Sequence, residues 1–101
     1  MSYKLSQQAN ADLSAILTHG IRTFGEPSAD QYFDGLIRQF EDLAYNPLLY
    51  RERKEIDPPI RLCPYGVHVI IYKVDNDGLF IIRVRHGQEN WKDEQTGQND
   101  D

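Results

Sequence analysis

Apolar and small residues recur at Ala9, Leu13, Ile16, Leu17, Gly20 and Phe24. That spacing lays one stripe along about five turns of helix. Ser6, just before it, is a helix N-cap residue whose hydroxyl can accept an orphan amide of the first turn. Gly25 closes the helix in the manner of a C-terminal glycine. A second start follows at once in "EPSAD", with proline and serine at the entry. The next stripe is Ala29, Tyr32, Phe33, Leu36, Ile37, Phe40, Leu43 and Ala44. It is broader than the first, as expected for a helix covered on more than one side. Asn46-Pro47 ends it, because the residue before proline avoids the helical region. So short a link predicts an antiparallel helical hairpin.

The period then changes. "LLYRERKEIDPP" is a charged connector ending in two prolines, which suit extended backbone. Strands are predicted at "IRLCPY", "HVIIYKV" and "LFIIRVRH", with Asp75-Asn76-Asp77-Gly78 as a tight turn between the last two. "VHVIIYKV" is almost wholly apolar and β-branched, the mark of a strand covered on both faces. Strict alternation in the last strand predicts Phe80, Ile82 and Val84 on the core face and Leu79, Ile81, Arg83 and Arg85 on the other. At the other end of the chain "YKLS" is a short strand candidate, with Tyr3 and Leu5 alternating. The order predicts an α+β fold: a small curved sheet, made of a short N-terminal strand and C-terminal antiparallel strands, packed against a two-helix hairpin.

Length and composition fit one domain over residues 1–91, followed by an acidic tail, 92–101, expected to be disordered. The single cysteine, Cys63, excludes an internal disulfide framework and is expected to be a small buried strand residue in a reducing, cytoplasmic setting. No apolar run reaches the roughly 18 residues that a membrane span needs. The net charge of −5 is concentrated at the C-terminal end. From Glu89 onward there are five acids and one base, leaving eleven acids and ten bases before it. A protein partner or a small local cluster is favoured over a generic polyanion-binding face.

Among candidate chemistries, His19, His68 and His86 are far apart in sequence and show no paired ligand spacing, and "DNDG" is a turn rather than a calcium loop. No metal or cofactor is expected. No local signature marks a nucleophile, and no glycine-rich phosphate loop is present. What remains is basic: Arg51, Arg53, Lys54 and Arg61 about the connector, and Arg83, Arg85 and His86 at the end of the last strand. Pairing of the strands would bring Arg61 near the ends of its neighbours. These are either solvated strand-end charges or a binding face. With Glu55, such a patch could bind a phosphodiester and cleave it by acid–base chemistry. Trp91 either packs back on the sheet or belongs with the arginines as an interface residue. Its indole only donates a hydrogen bond and moves no proton at neutral pH.

Together "YKLSQQANADLSAILTHGIRTFG", Tyr32 and Leu36, "LAYNP", "RLCPYGVHVIIYKV" and the closing "IIRVRHGQENW" resemble the ParE toxins of the RelE/ParE superfamily, over nearly all of residues 3–91. The resemblance implies a toxin of a type II toxin–antitoxin system that aids plasmid or chromosomal stability. Its expected target is the DNA gyrase A subunit, so that replication stalls. Its expected partner is a ParD-like antitoxin, a ribbon-helix-helix protein whose flexible C-terminal half wraps the toxin. A disordered segment can cover a large surface on folding. No catalytic residue and no direct sequence-specific nucleic-acid binding are expected. The expected contact surface is Arg61, Arg83, Arg85, His86 and Trp91. The alternative is a RelE-like ribosome-dependent messenger ribonuclease, in which Arg51, Arg53, Lys54, Arg61, Arg83 and His86 supply the charges. Trp91 in place of a terminal Tyr or His speaks for the ParE side. Gln88 departs from relatives with an arginine after "HG". A third reading is an inactive relative that retains only antitoxin binding.

Overall fold

The computed structural model describes residues 3–87; Trp91 and the acidic segment from residue 92 lie outside them. The elements run β1 (Tyr3–Leu5), α1 (Gln7–Phe24), α2 (Glu26–Tyr45), β2 (Glu52–Arg53), β3 (Ile60–Tyr65), β4 (His68–Asp75) and β5 (Gly78–His86). The five strands form one sheet in the order β1-β5-β4-β3-β2. β1 runs parallel to β5, and every other neighbouring pair is antiparallel.

The helical hairpin turns on one residue. Gly25 has φ 91°, open to glycine because no Cβ meets the backbone there. Its amide donates to Ile21 O at 3.0 Å, closing α1, while its carbonyl accepts from Ala29 N at 3.0 Å, opening α2. Pro27 falls in the first turn of α2, where its missing N–H costs nothing. At the other end of α1 the Ser6 hydroxyl accepts from Ala9 N at 2.9 Å and donates to Ile82 O at 2.6 Å. One side chain thus caps the helix and ties it to β5. Phe24, expected in the α1 stripe, is 70% exposed, at the last residue of the helix.

The sheet buries both faces. Toward the helices lie Cys63, Ile70, Tyr72, Leu79, Ile81 and Val84, packed with Leu13, Leu36 and Phe40. On the opposite face Leu62, Val69 and Ile71 join Ile60 and Ile56. β4 sends Ile70 and Tyr72 one way and Val69 and Ile71 the other, which accounts for its lack of polar alternation. The connector is more ordered than its charge suggests. β2 pairs Glu52 and Arg53 with Arg61 and Ile60, and Ile56 anchors the stretch in the second core.

The predicted facing of β5 is corrected. Leu79, Ile81 and Val84 face the helices, while Ile82 packs on the second core. Tyr72 pairs with Ile81 but Ile71 pairs with Arg83, so Ile82 is an extra residue in a β-bulge. A bulge shifts the phase of every residue beyond it, and strict alternation then fails. Among the described residues no helix is long and apolar enough to cross a membrane.

Candidate functional site

Beyond Leu5, β1 no longer covers the outer edge of β5, and α1 takes over. Asp12 on α1 accepts from Val84 N at 2.9 Å, so a carboxylate stands where a neighbouring strand would supply a carbonyl. The same carboxylate holds Arg83 in a two-point clamp, Nε to Oδ2 at 2.8 Å and Nη2 to Oδ1 at 3.0 Å. The two side chains are 14% and 13% exposed, which makes this a mostly desolvated fork.

Arg61 has a different commitment. Its Nη1 donates to Tyr50 O at 2.7 Å, fastening the connector to β3. Antiparallel pairing sets Arg61 opposite Tyr72, whereas Tyr65, at the far end of β3, meets His68, which pairs with His86. Arg61 therefore lies toward the end of β4, about 13 Å along the sheet from His86. Around the connector, Arg51 and Arg53 both approach Glu55 at 3.7 and 3.5 Å. Their proximity, with a backbone hydrogen bond as the larger cause, holds that exposed carboxyl below its ordinary range.

Arg85 and His86 do come together, in a cleft of about 280 Å³ lined by Asp12, Ile16, His19, His68, Arg85 and His86 among others. His68 and His86 face each other edge to face, ring centroids 5.7 Å apart. The Tyr32 hydroxyl lies 2.7 Å from His68 Nδ1 and donates to Tyr65 O at 3.1 Å. The contact at Nδ1 fixes the orientation of the ring, with donor and acceptor set by the imidazole tautomer. Burial raises the Tyr32 pKa, so the phenol stays neutral and positions the imidazole instead of taking its proton.

Two glycines make this arrangement possible. A Cβ on Gly66, whose φ is 56°, would stand 2.5 Å from the Tyr32 hydroxyl. A side chain at Gly35 would run into the Tyr65 hydroxyl.

Of the five residues expected at a partner surface, Arg85 and His86 line the cleft, Arg61 and Arg83 are bound into the fold, and Trp91 lies outside the described residues. Sequence reasoning missed His19, His68, Tyr32 and Asp12 as a group. One signal was present. A two-residue turn at Asn76-Asp77 in strict register would set His68 across from Arg85, and the bulge moves its partner on to His86. Among the described residues no three of His, Cys, Asp and Glu are arranged to hold a metal ion.

Over residues 3–91 the sequence matches the family described as ParE toxin of type II toxin-antitoxin system, parDE. Among curated proteins no sequence matches it. Among solved structures it is similar to a chain of the chromosomal ParDE toxin–antitoxin system from P. aeruginosa, with a TM-score of 0.71 and 24% identity. That likeness covers 85% of this chain and 95% of the other, and shows a shared fold. With 89 of its 101 residues inside the match, the chain belongs to the ParE toxin family of type II toxin–antitoxin systems.

Proposed function

We propose that this ParE-type toxin acts by binding the DNA gyrase A subunit and is neutralised by a ParD-like antitoxin with a flexible C-terminal segment. The supporting observation is the character of its surface. Arg61 and Arg83 are engaged within the fold, and Arg51 and Arg53 share the exposed Glu55 at the surface, so these cations do not merge into one groove for a nucleic acid. Large apolar side chains stand in water instead: Tyr45, Leu48 and Leu49 around the end of α2 are about two-thirds exposed or more, as is Phe24. Exposed apolar side chains gathered at one place mark protein contact surfaces. The antitoxin docks on this apolar ground, and Arg85, His86 and Trp91 belong to the face offered to the target.

Purified toxin added to a gyrase supercoiling and cleavage-complex assay should inhibit the enzyme or trap cut DNA. No effect at stoichiometric excess would overturn the gyrase assignment. Replacing Leu48 and Leu49 together by glutamine should leave stability within about 0.5 kcal/mol for each exposed site. The same pair should weaken capture by the antitoxin, read by calorimetry.

A second reading has its own observation. Two imidazoles side by side next to a guanidinium are the groups that acid–base cleavage of a phosphodiester uses. Primer extension on translated messages after induction separates the two, since new cuts in the ribosomal A site would establish a RelE-like ribonuclease. Induction without growth arrest, in a folded protein, would instead mark an inactive antitoxin binder.

A further inference from the structure

The chain leaves the sheet at the rim of the cleft. Gly87 N donates to Val67 O at 2.8 Å, which pins the exit to the turn between β3 and β4, next to the His68–His86 pair. Residues 88–101 follow from that point. β1 covers the outer edge of β5 only as far as Ile81, and from Val84 onward it is α1 that stands beside it. The wall of the cleft is mixed. Ala15 and Ile16 of α1 give it an aliphatic strip, while His19, His68, Arg85 and His86 give it imidazoles and a guanidinium. Asp12, the one acid among the described lining residues, is gripped by the Arg83 guanidinium and the Val84 amide. His68, Arg83, Arg85 and His86 all have partners within the chain, so a segment of the chain itself suits this wall better than a ligand from outside.

We propose that residues 88–94 fold back over the cleft between α1 and the His68–His86 pair. Trp91 lies on Ala15 and Ile16, and the acids Glu89, Asp93 and Glu94 turn toward Arg85 and the imidazoles. Length allows it, since four residues span up to about 14 Å and so carry Trp91 from Gly87 to α1. Composition matches the wall part for part. An indole joins a large apolar surface to a polar edge, which suits an aliphatic strip in a cleft open to solvent. From Glu89 onward five acids stand against one base, complementary in sign to a guanidinium and three imidazoles. Ordering a chain end costs conformational entropy, and burial of the indole together with these charge contacts offsets it. The toxin thus carries its own cover for this cleft, and Trp91 comes to stand beside Arg85 and His86. The docking belongs to the free toxin and holds whatever its target.

Trp91 is the only tryptophan of the chain, so its fluorescence and indole resonances report on this segment alone. In the full chain, NMR should show cross-peaks from the Trp91 indole to the methyl groups of Ala15 and Ile16. Emission should lie to the blue of that from a free peptide of residues 88–101 and should not change on dilution. Glu89→Gln, Asp93→Asn and Glu94→Gln combined, or salt raised to about 1 M, should each cut the cross-peaks by about half or more. Trp91→Ala should move the backbone resonances of Ala15, Ile16 and His19. Circular dichroism checks the folding of each variant. The proposal is overturned if the indole shows no contact with α1 and emits like the peptide, or if its contacts lie elsewhere, as with Leu48 and Leu49. It is also overturned if loss of the three acids leaves the cross-peaks unchanged, or if emission changes with concentration, which would seat the segment on a second copy. A failure to inhibit gyrase would leave all of these readouts as they are.

Discussion

Asp12 shows how much a single carboxylate can carry. It closes the open edge of β5 at Val84, orients Arg83 and joins α1 to the sheet, across 71 residues of sequence in the Arg83 contact. Replacing it by alanine takes from a mostly buried guanidinium the carboxylate that grips it at two points, a loss of up to roughly 3–5 kcal/mol. Urea unfolding of Asp12→Ala should show that loss. Asp12→Asn, which keeps an oxygen for the Val84 amide, should lose less. Arg83→Ala should reduce toxicity only as far as it reduces the folded fraction, unlike a change in a residue that meets the target directly. Expression level and thermal melting measured beside growth arrest distinguish the two. This pairing was not legible in the sequence. Arg83 is the same letter whether it faces solvent or an aspartate far up the chain, and no local pattern reports a contact of that range. The bond from Arg61 to the Tyr50 carbonyl was hidden for the same reason.

At the scale of elements, what could be read was what depends on neighbours in sequence. The stripes of α1 and α2, the cap at Ser6, the stops at Gly25 and Asn46-Pro47 and the turn at Asn76-Asp77 are all local, and all are present. The bulge at Ile82 is not local. Alternation in β5 shifts at a residue whose neighbours come from far up the chain, with the Ser6 hydroxyl on its carbonyl and the Asp12 carboxylate on the Val84 amide. That one added residue sets His68 across from His86 and so builds the cleft. The glycines at the turns give a graded expectation. Gly25→Ala meets open space and bears only the backbone cost of φ 91° and ψ 160°, a region essentially reserved for glycine, on the order of 1–3 kcal/mol. Gly66→Ala bears a backbone cost of its own at φ 56° and also drives its Cβ into the Tyr32 hydroxyl, so its effect reaches the site. It should also move the His68 ring resonances, which Gly25→Ala should leave in place.

For the molecule as a whole, the two cores on either side of β4 set its response to alkali. Tyr72 is fully buried, and burial pushes its pKa up to about 12 from the usual 10, with Cys63 adding to the rise. Its hydroxyl donates to Pro47 O at 3.1 Å. Below pH 10 the phenol is neutral in both folded and unfolded chains, and this group gives no pH dependence. Between 10 and about 12 the unfolded chain gives up the proton while the folded one retains it, so stability falls as pH rises through that window. Tyr3, Tyr32 and Tyr50 are shifted the same way, Tyr3 and Tyr32 chiefly by burial and Tyr50 chiefly by its hydrogen bond with Cys63. Chemical denaturation at a series of alkaline pH values should show the decline, and Tyr72→Phe should flatten it at the cost of about 1 kcal/mol for the lost bond to Pro47.

The parallel pairing of β1 with β5 has a consequence for biosynthesis. Tyr3, Lys4 and Leu5 leave the ribosome 76 residues ahead of their partners Leu79, Phe80 and Ile81. Contacts of such long span are the slow ones to form. The nascent polypeptide therefore cannot complete its sheet before β5 has been made, and until then the edge that β1 will cover and the rung of His68 with His86 do not exist.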